Sequence, residues 1–223
     1  MLEKLEQTQH SKYESYNIPK VFTNQPHLYK ELMMMYGGAI REIQTKLEVL
    51  NDECSVRYQR NPISFIKTRT KSPDSILKKL LSKGCEISLE SIQNNLSDVA
   101  GIRVICPFID DIYEVARMLT IQDDITVIKT KDYIQNPKPN GYRSLHLILE
   151  VPVFLSDRKQ SMKVEVQIRT IAMDFWASLD HQLRYKKSLK NAEEISAELK
   201  ECADIISATD QKMQNIKYQI YGY

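Results

Sequence analysis

The chain has 223 residues, of which 42% are hydrophobic and 27% charged, a balance that can bury one generous core or two small ones. Lys and Arg number 31 against 29 Asp and Glu, a formal net charge of +2. That excludes a protein built to coat duplex nucleic acid, which needs a strong basic excess, but leaves room for a local basic pocket. No apolar run approaches the roughly 20 residues that cross a bilayer, and the polar first twenty residues do not read as a signal peptide. A cytoplasmic location with no membrane partner is expected. Cys54, Cys85, Cys106 and Cys202 form no C-x-x-C pair and have no nearby His, so they read as free buried thiols and not as a zinc site.

Residues 1–27 lack helical periodicity, carry Pro19 and Pro26, and read as a loose arm. From Leu28 the apolar positions Leu32, Tyr36, Ile40, Ile43, Leu47 and Leu50 recur at steps of three and four, which predicts an amphipathic helix. Gly37 and Gly38 each weaken it by about 1 kcal/mol and point to a close helix contact. Asn61-Pro62 marks a break. Ser72-Pro73-Asp74 opens a second helix that ends near Gly84, and Ser88 and Ser91 open helical turns up to Leu96. The β-branched run 99–106 predicts a buried strand. Asp110 and Asp111 are expected to cap a helix through Leu119. Strands follow at 125–129, 145–151 and 163–168, the last two forming an antiparallel hairpin around a polar turn at 156–160. Residues 170–185 turn helical, and 191–218 read as a long terminal helix. This order predicts an α/β (α+β) fold, a mixed β-sheet flanked by helices. Without G-x-G-x-x-G or a Walker A motif, neither a Rossmann nor a P-loop domain fits.

Five stretches carry chemistry. Arg69, Lys71, Lys78, Lys79 and Lys83 crowd around the second helix, where Ser75, Lys79 and Lys83 are spaced to share a face. A hydroxyl and ammonium groups beside a helix N-terminus suit a polyphosphate, though a solvated basic face has the same pattern. Asp98 stands at the mouth of the 99–106 strand, where a carboxylate needs a partner or a cation. Gly101 clears space there, and Arg103 must find an anion or a ring. An Asp98–Arg103 ion pair is the plainer alternative. In the 163–170 stretch, alternation sends Val164, Val166 and Ile168 to one face and Glu165, Gln167 and Arg169 to the other. Two carboxylates on neighbouring strands, Asp98 and Glu165, can share Mg2+. The loop 129–146 combines Lys131, Tyr133, Lys138, Tyr142, Arg143 and His146, the cation-and-ring mixture that grips a base and its phosphates. Last, Asp174 can accept two hydrogens from a guanine edge, or serve only as an acid at a helix N-terminus. In the same stretch Phe175, Trp176, Leu179 and Leu183 read as core.

Three of these stretches, Asp98-Val-Ala-Gly101-Ile-Arg103, Gly141-Tyr142-Arg143-Ser144-Leu-His146 and Glu165-Val-Gln167-Ile-Arg169-Thr170, resemble in order and spacing the RelA/SpoT synthetase domain. The resemblance covers about residues 30–187 and is closest to a synthetase-only small alarmone synthetase. It implies a nucleotidyltransferase-like domain over 28–187, between the 1–27 arm and a 188–223 helix that serves oligomerisation. The implied reaction transfers the β,γ-pyrophosphate of ATP to the 3′-hydroxyl of GDP or GTP, giving (p)ppGpp and AMP with Mg2+ as cofactor. By the same resemblance, Arg69 and Arg103 sandwich adenine, while Lys71, Ser75, Lys79 and Lys131 hold the ATP phosphates. Asp98 and Glu165 are the catalytic and metal-binding acids, Glu165 as second ligand or as base. Lys138, Tyr142, His146, Gln167 and Asp174 take the guanine nucleotide, with Tyr142 stacked on the base. Asp174 stands where some relatives carry Asn.

On the terminal helix, Ile195, Leu199, Cys202, Ile206, Thr209, Met213 and Ile216 form a heptad seam, which predicts self-association. The resemblance makes the expected assembly a homotetramer. Regulation by an alarmone or by RNA stays open at this level. So do two rival functions: pyrophosphate transfer to an RNA 3′ end, and a non-catalytic nucleotide- or RNA-binding module.

Overall fold

The computed structural model describes residues 26–185 and 192–221. The expected arm lies outside these residues apart from Pro26 and His27, which already belong to the first helix. The boundary expected at 187/188 also lies outside them. That helix, α1 (Pro26–Tyr58), runs 33 residues without a break. Tyr29, Leu32, Tyr36, Ile40, Ile43 and Leu47 bury one stripe of it. A Cβ on Gly38 would stand 2.9 Å from Val153 Cγ1, so this glycine lets the helix ride close against the sheet.

The sheet has five strands: β1 (Phe65–Thr70), β2 (Ala100–Cys106), β3 (Thr126–Asp132), β4 (Leu145–Phe154) and β5 (Lys159–Thr170). Their order is β1-β2-β5-β4-β3, with only the central β2–β5 pair parallel. The mixed sheet flanked by helices is therefore as expected, with β1 added. No position of β1 is fully buried, and its Lys67 and Arg69 give it the polar look of an edge strand, which is why hydrophobic patterning misses it. Five helices complete the fold after α1: α2 (Pro73–Ser82), α3 (Leu89–Asn95), α4 (Ile109–Thr120), α5 (Ile171–Tyr185) and α6 (Ala192–Tyr221). One sheet face carries Ile102 and Val104 of β2, Val164, Val166 and Ile168 of β5, and Leu147 and Leu149 of β4. It is closed by α1 and α4 into one apolar core.

Local signals are read with some corrections. Ser72 caps α2 by accepting from Ser75 N at 3.4 Å, and Pro73 fills the first turn. Lys83 lies past the helix end and donates to Asn95 O at 2.6 Å, so it does not join Ser75 and Lys79 on a shared face. The cap of α4 is Phe108, without a side-chain hydrogen bond. Asp110 and Asp111 sit in the first turn and bind Lys217 instead. All four thiols are free, but Cys202 is exposed and Cys85 half-buried, against the expectation of burial.

The terminal helix α6 packs on the body through small and polar residues: Ala203, Asp210, Gln214 and Lys217 are its buried positions. Thr170 Oγ1 donates to Asp210 Oδ2 at 2.6 Å, Trp176 Nε1 to Leu199 O at 2.9 Å, and Lys217 Nζ to Asp110 at 2.6 Å. The heptad seam points elsewhere, with Cys202, Thr209, Met213 and Ile216 exposed and Ile195, Leu199 and Ile206 half-buried. No helix among the described residues is long and apolar enough to cross a membrane.

Candidate active site

Strand register gathers the polar side chains onto the sheet face opposite the core. Directly opposed residues share a face. Arg69 lies opposite Gly101, Lys67 opposite Arg103, Gly101 beside Glu165, Arg103 beside Gln167, Gln167 opposite His146, and His146 opposite Lys131. One row thus crosses all five strands. Arg69 lies across β2 over Gly101; a Cβ there would stand 3.4 Å from Arg69 Cγ, an ordinary van der Waals contact. The resulting surface opens into a recess of about 220 Å³ lined by Lys67, Arg69, Arg103 and Glu165. A wider cleft of about 700 Å³ runs under α5, lined by Arg69, Arg103, Tyr142, Gln167, Arg169 and His181. Arg69, Arg103 and Gln167 line both.

Asp98 is held by two lysines on a single oxygen: Lys71 Nζ at 2.7 Å and Lys79 Nζ at 2.6 Å, both on Oδ2. Burial alone would raise its pKa, but the hydrogen bonds from Lys71 and Lys79 win and hold it below the usual 3.8. Its Oδ1 is buried and has no hydrogen-bond partner. The expected alternative, an Asp98–Arg103 pair, does not form; Arg103 reaches Asp174 instead, at 3.1 Å. Ser75 is tied to the helix cap, its Oγ 2.8 Å from Ser72 Oγ.

Around Glu165 the hydrogen bonds close into a ring. Gln167 Nε2 donates to Glu165 Oε2 at 2.9 Å, and His146 Nδ1 lies 3.4 Å from Oε1. His146 Nε2 is 2.8 Å from Tyr142 Oη. Arg169 Nη2 donates to Tyr142 Oη at 2.5 Å and to Gln167 Oε1 at 2.9 Å. Burial, outweighing the attraction of Glu165, keeps the His146 pKa below 6.5. A neutral imidazole with its proton on Nδ1 satisfies both contacts. Proton donation then runs one way around both arms, from the Arg169 cation to the Glu165 anion. Burial pushes the Glu165 pKa up, yet the hydrogen bonds from His146 and Gln167 bring it below 4.5. The Asp98 charge opposes this slightly, as the weakest of these influences on Glu165.

The loop before β4 is shaped by Gly141, which takes φ +86° and donates to Lys138 O at 2.8 Å. Lys138 Nζ sits 4.7 Å over the Tyr133 ring and 4.8 Å over the Tyr142 ring. Tyr133, Tyr142 and His146 touch one another edge-on at 5.2–5.9 Å. Tyr133, one of the rings counted in this loop from the sequence, is thus part of the cluster. Lys131 lies beside His146 on β3, at the sheet edge away from Lys71 and Lys79. Asp174 spends Oδ1 on Arg103 and Arg169, at 3.1 and 3.2 Å, which leaves only Oδ2 for a guanine edge. A larger cavity of about 850 Å³ lies away from this site, between the ends of α1, α4 and α6. Its cations Arg60, Lys217 and Arg117 are already paired with Asp111, Asp110 and Glu114.

A hydrogen-bond-ringed carboxylate on one face of a mixed sheet, a lysine-held acid just ahead of β2 and an aromatic loop define a domain built to hold nucleotides and move phosphoryl groups. Comparison with known proteins narrows the class. The family described as "Region found in RelA / SpoT proteins" matches residues 68–190. GTP pyrophosphokinase YwaC of Bacillus subtilis (strain 168) is 46% identical over 192 residues, covering 86% of this chain and 91% of that protein. The solved small alarmone synthetase 2 from Bacillus subtilis superposes with a TM-score of 0.76 at 46% identity, over 84% of this chain and 97% of the other. Small alarmone synthetase 1 from the same organism, bound to its product pppGpp, gives 0.79 at 34% identity, over 87% and 98%. The chain belongs to the RelA/SpoT family, and its similarity runs along nearly the whole length of the small alarmone synthetases.

Proposed function

We propose that this protein synthesises (p)ppGpp by moving the β,γ-pyrophosphate of ATP onto the 3′-hydroxyl of GDP or GTP, with release of AMP. The observation that carries this reading is the closed ring around Glu165. It presents an ionised carboxylate between a cation-lined recess and an aromatic loop. In the transfer, the 3′-oxygen bonds to Pβ, the Pα–O–Pβ bridge breaks toward AMP, and Glu165 takes the hydroxyl proton. Arg69 and Arg103 lie side by side to flank adenine, and Lys71 and Lys79 stand ready for the triphosphate. Ser75 and Lys131 add phosphate contacts, Lys131 from the acceptor side. Tyr142 stacks on guanine, with Lys138, His146 and Gln167 around the acceptor.

The residues present suit a divalent cation. Among the described residues, no group of three or more His, Cys, Asp or Glu forms a metal cage. A buried, unpartnered Asp98 Oδ1 is what Mg2+ needs, since it takes one or two carboxylates and fills its shell with water and phosphate oxygens. Asp98 would hold it with Glu165 nearby, and the ion would offset charge on the triphosphate. These substrates support a cytoplasmic location.

The test is direct. Purified protein, γ-labelled ATP and Mg2+ are incubated with GDP, GTP or tRNA, and the products are separated. Label on the guanine nucleotide together with AMP is expected. Label on tRNA alone would favour RNA-end transfer, and no AMP under any condition would leave a binding module. Within the same assay, Tyr142→Ala should raise the acceptor KM about tenfold or more while sparing the ATP KM, as loss of one base–ring stack costs about 1–3 kcal/mol. An unchanged acceptor KM would contradict stacking.

The assembly proposed is a homotetramer built on the α6 seam. Its support is that Met213, 49% exposed, and Ile216, 38% exposed, face outward while the inner face of α6 is polar. Light scattering should give a tetramer mass, and Met213→Asp with Ile216→Asp a smaller one. A monomeric parent protein would refute the seam. Regulation by an alarmone or by RNA would act on this same assembly.

A further inference from the structure

Arg169 and Asp174 are among the most enclosed charges of the site, at 4% and 7% exposure, and the transfer described above gives neither a step. Arg169 spends four of its five N–H donors inside the protein. It is committed to Ser144 Oγ at 3.3 Å, Asp174 Oδ1 at 3.2 Å, Tyr142 Oη at 2.5 Å and Gln167 Oε1 at 2.9 Å. It also lies 5.1 Å over the Tyr142 ring, so it fixes that ring both at the rim and across the face. Arg103 is its opposite. Its side chain is 32% exposed, it lines both recesses, and its buried Nε has no hydrogen-bond partner.

These two guanidinium groups meet on one atom, Asp174 Oδ1. Asp174 cannot drift, because α5 starts directly after β5 and Thr170 Oγ1 accepts from Met173 N at 3.1 Å to close the first turn. A helix-dipole role would account for an acid in this turn, but not for its burial between two cations from different strands. Without the carboxylate, Arg103 and Arg169 would face each other as like charges in a partly dry site. Arg169 is locked by three other acceptors, so Arg103 would be the one to swing away.

We propose that Asp174 is a positioning residue that couples the two nucleotide subsites, tying Arg103 on the donor side to Arg169 and hence Tyr142 on the acceptor side. This rests on the donor and acceptor assignments of the proposed function. A donor base that fixes Arg103 steadies the shared carboxylate, which steadies Arg169 and the Tyr142 ring; the acceptor base does the same in reverse. By linkage the two effects are equal.

The test measures binding by calorimetry of GDP and of α,β-methylene-ATP, whose Pα–C–Pβ link resists cleavage, each alone and each with the other saturating. In the parent protein each should tighten the other about fivefold or more, the lower end of ordinary coupling. In Asp174→Ala that ratio should fall to about one, while each single affinity weakens but stays measurable, because Oδ2 faces the acceptor side and Arg103 loses its anchor on the donor side. In Asp174→Asn, which keeps an acceptor oxygen without the charge, it should be intermediate. Fluorescence of Trp176, the single tryptophan, checks folding. Coupling that survives in Asp174→Ala, or is as strong in Asp174→Asn as in the parent, overturns the proposal, and so does a parent ratio near one. A parent protein that binds neither nucleotide sinks the donor and acceptor assignments themselves, a distinct result.

Discussion

Glu165→Gln is expected to lower kcat by about 10²- to 10⁴-fold, the range over which a positioned general base acts, with little change in either KM. The amide cannot take the 3′-hydroxyl proton. It also turns an N–H₂ toward either Gln167 Nε2 or His146 Nδ1, so one arm of the ring must open. The parent should stay active well into mild acid. The Glu165 pKa lies below 4.5, since the hydrogen bonds from His146 and Gln167 outweigh the opposing effect of burial. The sign for stability follows. Folding favours the ionised form, so this contribution is present above pH 4.5 and is lost as pH falls through the lower folded value. Stopped assays with both nucleotides saturating check the rate, and full activity in Glu165→Gln would remove the base assignment.

The second large effect is expected from Asp98→Ala. Transfer should fall by about a thousandfold or more, as the site loses a buried, unpartnered carboxylate oxygen and the several kcal/mol of charge stabilisation a divalent ion brings to a phosphoryl group. The fold should survive, because Lys71 and Lys79 keep partial exposure, 16% and 34%, and can turn to water once their partner is gone. Thermal melting together with the labelled-ATP assay separates the two outcomes. A variant that melts normally yet transfers normally would show that Asp98 is not needed.

Much of this site is legible in the chain because alternation alone assigns faces. Glu165, Gln167 and Arg169 read as one working surface from a single strand, and the loop at 138–146 announces a nucleotide grip by its residue types. What stays hidden is who meets whom. That Arg69 crosses Gly101, or that His146 stands opposite Gln167, depends on the strand order β1-β2-β5-β4-β3, which no local window contains. The same holds for Asp98, whose partners turn out to be Lys71 and Lys79, not the nearer Arg103. β1 escapes because an edge strand carries charge where patterning looks for apolar residues. The outward turn of the α6 seam follows from polar anchors such as Asp210 and Lys217, which sequence alone would place in solvent.

Gly141 touches more than its own turn. A Cβ there would collide with Ala203, and Arg143 in the same loop donates to Ala203 O at 3.3 Å. The last helix is thus no detachable handle. Whoever grafts a different tail onto this enzyme, to recruit or isolate its copies, also disturbs the loop proposed to hold its second substrate.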